Sequence, residues 1–155
     1  MRTMRKANRE IKNLNAVLAI MSEARVCRIG LSDDGIPYIV PMNFGLGDKC
    51  IYLHCASEGR KLEILRKNDK VCFEMDLMRG IKQESDVCSW SCSYESVIGF
   101  GRAFLIKEPE EKRFALDRIM EHYGARPPFY YPDDILLKMI VIRITIESLT
   151  GKRNH

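Results

Sequence analysis

Residues 51–61 read IYLHCASEGRK, and this stretch joins a strand pattern to a helix start. The apolar run at 50–54 is typical of a buried strand, whereas residues 59–67 have the spacing of a short helix. Backbone amides at a helix N-terminus attract anions, and Arg60 and Lys61 add positive charge there. The stretch therefore predicts a phosphate-binding turn, although a solvated basic helix face would contain the same residues.

Two further strand patterns precede this stretch. The first covers residues 26–31 and runs into Asp33-Asp34-Gly35, a turn suited to a hairpin. The second covers residues 38–44 and contains Pro41, which indicates an edge or bulged position where the backbone is free to bond a ligand. With a turn at 45–48 before the next strand, the pattern predicts a β-meander of three short strands.

The rest of the chain alternates between helix and strand signals. Glycines inside the strand at 94–106 indicate a bulge or the close approach of another group. The whole pattern predicts one α+β domain, residues 1–155, built on an antiparallel sheet that closes into a barrel. The other predicted elements are helices at 8–21 and 109–123, strands at 70–77 and 140–147, and polar or turn-rich segments at 78–89 and 125–134.

Composition limits the class of protein. The chain has 155 residues, 30% charged residues and a net charge of +4, which suits a single globular domain with an anionic ligand. Its basic residues are spread along the sequence, so we expect no nucleic-acid partner. Apolar runs such as 139–142 are far shorter than the roughly 20 residues of a membrane span, so we expect no membrane partner and a cytoplasmic location.

Six cysteines raise the question of disulfides or metal binding. Four of them lie in apolar, strand-like runs, where a free thiol behaves as a small buried hydrophobic group. Cys88 and Cys92 are four residues apart, which does not match a CxxC pair, and no second pair complements them. We therefore expect reduced thiols and no metal site.

The sequence offers few catalytic groups. It contains no G-x-S-x-G, P-loop, H-E-x-x-H or Rossmann fingerprint, and its three histidines do not build a triad. His54 ends an apolar strand, where a lone histidine is more often structural than catalytic. Trp90 and Tyr94 could cover an aromatic ligand or belong to the core. An enzyme with this sequence would take its chemistry from a cofactor.

A family resemblance rests on four motifs: PYIVPMNF at 37–44, IYLHCA followed by GRK within 51–61, SVIGFGRA at 96–103 and TGK at 150–152. In this order they resemble the pyridoxamine 5'-phosphate oxidase-related flavoproteins, over about residues 5–152. The branch that they resemble most is the 5-nitroimidazole-resistance (Nim-type) proteins. The resemblance implies an antiparallel FMN-binding split β-barrel with flanking helices, which works as a homodimer with flavin at the subunit interface. The implied cofactor is FMN, with FAD as the alternative.

The resemblance also implies roles for individual positions. It places the strand at 38–43 along the flavin and the pair Arg60 and Lys61 at its phosphate. It assigns a catalytic role to His54 and brings residues 96–97 to the flavin of the other subunit. The implied flavin-binding residues are Tyr38, Val40, Pro41, Met42, Asn43, Leu53, His54, Arg60, Lys61, Ser96 and Val97.

Two departures separate the chain from the oxidase itself. Residues 147–155 do not reproduce the basic C-terminal signature that binds the pyridoxal substrate of the oxidase, and Tyr38 stands where the oxidase has arginine. The resemblance therefore favours an FMN-dependent oxidoreductase of the nitroreductase kind, which passes electrons from a reduced donor to a small acceptor. The alternatives are a flavin carrier, store or sensor without turnover, and a split barrel that binds heme or a deazaflavin.

Overall fold

An antiparallel sheet carries most of the chain in the computed structural model, which describes residues 5–154. The strands are β1 (Glu10–Ile11), β2 (Cys27–Asp33), β3 (Ile36–Met42), β4 (Phe44–Gly47), β5 (Cys50–Cys55), β6 (Lys70–Lys82), β7 (Ser91–Ile106) and β8 (Ile140–Asn154). The helices are α1 (Leu14–Glu23), α2 (Arg60–Lys67), α3 (Pro109–His122) and α4 (Asp133–Lys138).

The order of the strands explains the shape of the sheet. Hydrogen bonds link them in the order β3-β2-β6-β7-β8-β5-β4, and β1 adds to β8. The two ends of this path, β3 and β4, are consecutive in sequence and joined through Asn43, yet they do not pair within residues 5–154. The sheet is therefore a split barrel. This confirms the predicted α+β split-barrel fold and corrects the expectation of full closure.

Two hydrophobic cores pack against the sheet. The main core lies between the strands and α1, and Met21, Phe44 and Phe73 are its largest fully buried side chains. The second core lies under α3 and includes Tyr52 and Leu116. Full burial of such side chains stabilises the fold by roughly 1.5–3 kcal/mol each. The strands that border both cores are therefore the most firmly held part of the molecule.

The N-terminal helix begins later than the sequence pattern predicts. The side chain of Asn13 caps α1 by accepting a hydrogen bond from the backbone N–H of Ala16 at 3.3 Å. Ahead of this cap, β1 pairs with β8, so that Ile11 lies opposite Gly151. The apolar residue at position 11 matched the helical period, but its side chain is buried as part of a strand.

The predicted meander is wrong at its second step. The hairpin of β2 and β3 forms as expected, with positive φ at Asp34 and Gly35 as its two-residue turn requires. After Asn43, however, the chain crosses to the other end of the sheet, where β4 pairs with β5. Residues 45–47 are therefore strand rather than turn, and the turn follows at 48–49.

Three further differences lie in the second half of the fold. The hairpin of β6 and β7 continues past a bulge between Met78 and Gly80, so residues 78–82 are strand instead of loop. The helix α4, which was not predicted, begins at Asp133 within the segment predicted as turn-rich and ends at Lys138. In α3, which starts at Pro109 as predicted, Leu116 and Ile119 are buried, whereas Met120 is exposed.

Candidate functional site

The turn before α2 has the geometry of an anion site. Gly59 caps the helix with φ 127°, a conformation that favours glycine, and its carbonyl accepts hydrogen bonds from the N–H groups of Leu62 and Glu63. The N–H groups of Arg60 and Lys61 precede the first intrahelical donor, which is the N–H of Leu62. No side chain caps this helix in the part of the chain that the structure describes. Free amides and two cationic side chains therefore lie together at one helix end.

Arg60 connects this turn to strand β3. The guanidinium carbon of Arg60 lies 4.9 Å from the centroid of the Tyr38 ring. Contact at this distance is a cation–π interaction. It brings the N-terminus of α2 against the strand that the sequence analysis assigned to the flavin.

Strand β3 presents a free edge. Among residues 5–154 it pairs with β2 alone, so the backbone groups of its outer edge remain available to a ligand. The side chains of Tyr38, Val40 and Met42 are half-buried and pack against the main core. Pro41 and Asn43 are exposed. The position of Pro41 on an edge strand is the one that the sequence predicted.

A cavity of about 560 Å³ opens beside the end of β5. His54 lies in its wall, and burial lowers the pKa of the imidazole. Burial also raises the pKa of the Cys55 thiol, an effect that the nearby Lys61 ammonium partly opposes. The residues that line the cavity are His54, Cys55, Ala56, Ser57, Lys61, Ile135, Lys138 and Met139.

Leu53 occupies a different environment from its neighbour His54. Its side chain is fully buried in the main core and does not line the cavity. Only the backbone of Leu53 is placed to meet a ligand, through the strand that carries His54.

Ser96 and Val97 lie far from the cavity beside His54. In the β7–β8–β5 ladder, Ile106 is opposite Val141, which is opposite His54. Val97 is nine residues from Ile106, and at 3.3 Å per residue this is about 30 Å along the strand. The side chain of Val97 is buried in the main core. One protomer therefore does not bring these two residues to the cavity.

The sequence analysis missed the wall that α4 contributes. Ile135 and Lys138 of α4, together with Met139, face the cavity across from His54. The acidic pair at 133–134 before an apolar run could have predicted the start of α4, because acidic residues favour a helix N-terminus. A helix of six residues is too short to show a clear apolar period.

Three features of the described residues bear on metal binding, disulfide formation and membrane insertion. No group of three or more potential metal ligands of the His, Cys, Asp or Glu types occurs within residues 5–154. All six cysteines are free, as predicted. No helix of the described chain is long and apolar enough to cross a membrane.

Comparison with known proteins gives the family. A family model described as pyridoxamine 5'-phosphate oxidase matches residues 14–153. The chain belongs to this family. A solved structure from Bacteroides thetaiotaomicron, a candidate 5-nitroimidazole antibiotic resistance protein, shares 37% identity with a TM-score of 0.83, covering 93% of this chain and 86% of that one. No curated protein matches the chain.

More distant members of the structural comparison share the fold. The flavocytochrome Anf3 from Azotobacter vinelandii has 21% identity and a TM-score of 0.83, over 99% of this chain and 73% of that chain. An FAD and heme binding protein from Mycobacterium smegmatis has 17% identity and a TM-score of 0.84, over 95% of this chain and 74% of that chain. The predicted family and fold of the pyridoxamine 5'-phosphate oxidase-related split barrels are thus confirmed.

Proposed function

We propose that this family member binds FMN and is an FMN-dependent oxidoreductase of the nitroreductase kind. The observation that carries the proposal is the contact between Arg60 and Tyr38, because it joins an anion-binding helix end to the free edge of β3. A flavin nucleotide has both features that this arrangement suits: a phosphate at one end and a polar ring edge at the other. The similarity to the B. thetaiotaomicron protein supports the nitro-group chemistry.

The chemistry of the donor set fits this cofactor. Arg60, Lys61 and the free amides of the turn would hold the phosphate through charge-assisted hydrogen bonds. Backbone N–H and C=O groups along the edge of β3, from Tyr38 to Asn43, would bind the ring edge and ribityl chain. The cationic pair matches one phosphate group, which favours FMN over FAD.

The cavity beside His54 is the proposed acceptor site. When bound, flavin supplies two-electron transfer between a reduced donor and an acceptor. His54 is neutral at physiological pH because burial lowers its pKa, so it can hydrogen-bond an acceptor without adding charge. Ile135 and Met139 give the cavity an apolar lining against which the acceptor can pack.

We also propose a homodimer formed through the outer face of the sheet. Ile39 and Phe100 lie in one row across β3, β2, β6 and β7, and both are exposed in the protomer. Ile98 is exposed on the same face, and the alternation of β7 places Ser96 there too. A second copy packed on this face would cover the apolar side chains. It would also carry its Ser96 toward the flavin of the first protomer, which that protomer's own Ser96 does not approach.

Absorption and turnover of the purified protein test the proposed function. We expect a flavin spectrum in the visible region, release of FMN on denaturation, and oxidation of NADH or NADPH when a nitroaromatic acceptor is added. A colourless protein that does not bind added FMN would refute the binding. A flavin-loaded protein that oxidises neither nucleotide would refute the enzymatic part in favour of a carrier, store or sensor. The six free cysteines suit a reducing compartment, so we propose a cytoplasmic location.

A further inference from the structure

The cavity wall that α4 forms is held in place differently from the wall that the end of β5 forms. His54 and Cys55 are fixed by the ladder between β5 and β8. The helix α4 has six residues and belongs to no ladder, and a helix of this length is not stable on its own. Its position against the cavity must therefore come from contacts with the rest of the fold.

Lys112 of α3 holds the C-terminal end of α4. Its side chain is buried, with 8% of its surface exposed. The ammonium group donates hydrogen bonds to the carbonyl oxygens of Leu136 at 3.0 Å and Met139 at 2.9 Å. Carbonyls at a helix C-terminus lack intrahelical donors, so a cation there satisfies them and favours the helix. Lys112 forms no salt bridge within residues 5–154, and these carbonyls are its partners.

Arg113 holds the N-terminal end of the same helix. Its Nη1 donates to the carbonyl oxygen of Tyr131 at 3.1 Å, and its Nη2 donates to Oδ1 of Asp133 at 2.6 Å. Between the two ends, Leu136 is buried in the second core. Two consecutive residues of α3 thus clamp both ends of α4, and one apolar side chain anchors its middle.

We propose that Lys112 and Arg113 are positioning residues that hold α4 as the specificity-determining wall of the acceptor cavity. Ile135, Lys138 and Met139 then set the size of the acceptor that fits beside His54. The role in acceptor selection rests on the proposed function, whereas the clamping of α4 does not. Loss of the clamp opens the cavity without disturbing the β5–β8 ladder.

Thiol labelling with N-ethylmaleimide, resolved by mass spectrometry, tests the clamp in protein without flavin. Cys55 lines the cavity, Cys88 is exposed and Cys27 is fully buried in the main core. We expect Lys112→Met to raise the labelling rate of Cys55 by about tenfold or more through local opening. The rates of Cys27 and Cys88 stay unchanged. Lys67→Met is the matched control, because Lys67 is exposed and pairs with Asp33, away from α4.

Two results of the labelling would overturn the clamp. One is a labelling rate of Cys55 that does not change. The other is a labelling rate of Cys27 that rises by the same factor as that of Cys55, which would mean that Lys112 stabilises the whole fold. If Lys112→Met does not fold, Arg113→Gln provides the same test, since Arg113 is partly exposed and holds the other end of α4. A smaller rise at Cys55 is expected for this variant.

Acceptor size tests the role in specificity once flavin binding is established. For Arg113→Gln we expect the ratio of kcat/KM for 1-nitronaphthalene to that for nitrobenzene to rise several-fold, because the larger ring needs the opened wall. An unchanged ratio with faster Cys55 labelling would overturn the specificity role. A failure of flavin binding would instead appear in the titration of wild type, and the labelling result would be unaffected.

Discussion

At the scale of single residues, His122 shows how burial keeps a histidine side chain of this protein uncharged. Its Nε2 lies 2.7 Å from the carbonyl oxygen of Ala24, and its ring centroid is 4.2 Å from that of Phe44. Burial lowers the pKa of His122, and of His54, below the ordinary value of 6.5. A neutral His122 donates its N–H to Ala24 and joins the end of α3 to the end of α1.

Acidification should destabilise the fold through these histidines. The unfolded chain takes up protons near the ordinary histidine pKa, while the folded chain does so only at lower pH. The contribution to stability is therefore full above that pKa and falls as the pH falls toward the lowered value. We expect His122→Gln to lose less free energy of unfolding than wild type between about pH 7.5 and about pH 5, measured by urea denaturation. Equal losses in the two proteins would contradict this role.

The sequence predicted Arg60, Lys61 and His54 as neighbours because they are close along the chain. It also predicted a buried strand at 50–54, but not which residues of that strand face the site. Both faces of β5 are covered: Ile51 and Leu53 enter the main core, while Cys50 and Tyr52 enter the second core. When both faces of a strand are buried, its sequence does not alternate between apolar and polar residues and so does not show which residues face a site.

At the scale of elements, Gly45 fixes the contact between β4 and α3. A Cβ added at Gly45 would lie 2.5 Å from the backbone of Arg118 and Ile119. We expect Gly45→Ala to lower the free energy of unfolding by about 1–3 kcal/mol, because backbone atoms of a packed helix must shift. Gly30→Ala is the matched control, since its Cβ would approach Cys72 only to 3.5 Å. Thermal and urea unfolding measure both, and equal stabilities of the two variants would contradict the close packing at Gly45.

Long elements were predictable, and short ones were not. The periodicity of β7 and α3 extends over many residues, so these elements were identified near their observed positions, whereas only the first half of β8 was predicted, at 140–147. β4 has four residues and α4 has six, which is too few for a period; residues 45–47 were predicted as a turn, and α4 was not predicted. The extension of β6 depends on pairing across a bulge, which polar residues in that segment do not reveal.

At the scale of the whole molecule, we propose that the outer sheet face forms the dimer interface. We expect wild type to sediment as a dimer and Phe100→Asp to shift toward monomer, because a carboxylate would replace an exposed apolar ring in the proposed interface. Tyr130→Asp is the control, since Tyr130 is exposed in a different part of the chain. A Phe100→Asp protein that remains fully dimeric at low micromolar concentration would place the interface elsewhere.

The topology could not be read from the meander pattern. A strand–turn–strand sequence normally folds into adjacent strands, and the pattern at 26–54 has this form. The chain instead crosses the split in the barrel at Asn43, a step that depends on the contact of β4 with α3, which is far away in sequence. The family resemblance supplied the split barrel where local pattern alone did not.

The central claim, that the turn before α2 holds a flavin phosphate, is tested most directly by titrating FMN and riboflavin into wild type and Lys61→Ala. Flavin fluorescence follows binding, and Lys67→Ala on the same helix is the control. Loss of one charge-assisted hydrogen bond of roughly 1.5–3 kcal/mol predicts about tenfold to a hundredfold weaker FMN binding. Riboflavin, which lacks the phosphate, should bind both proteins equally. Equal weakening of both ligands, or no change in either, would contradict the claim.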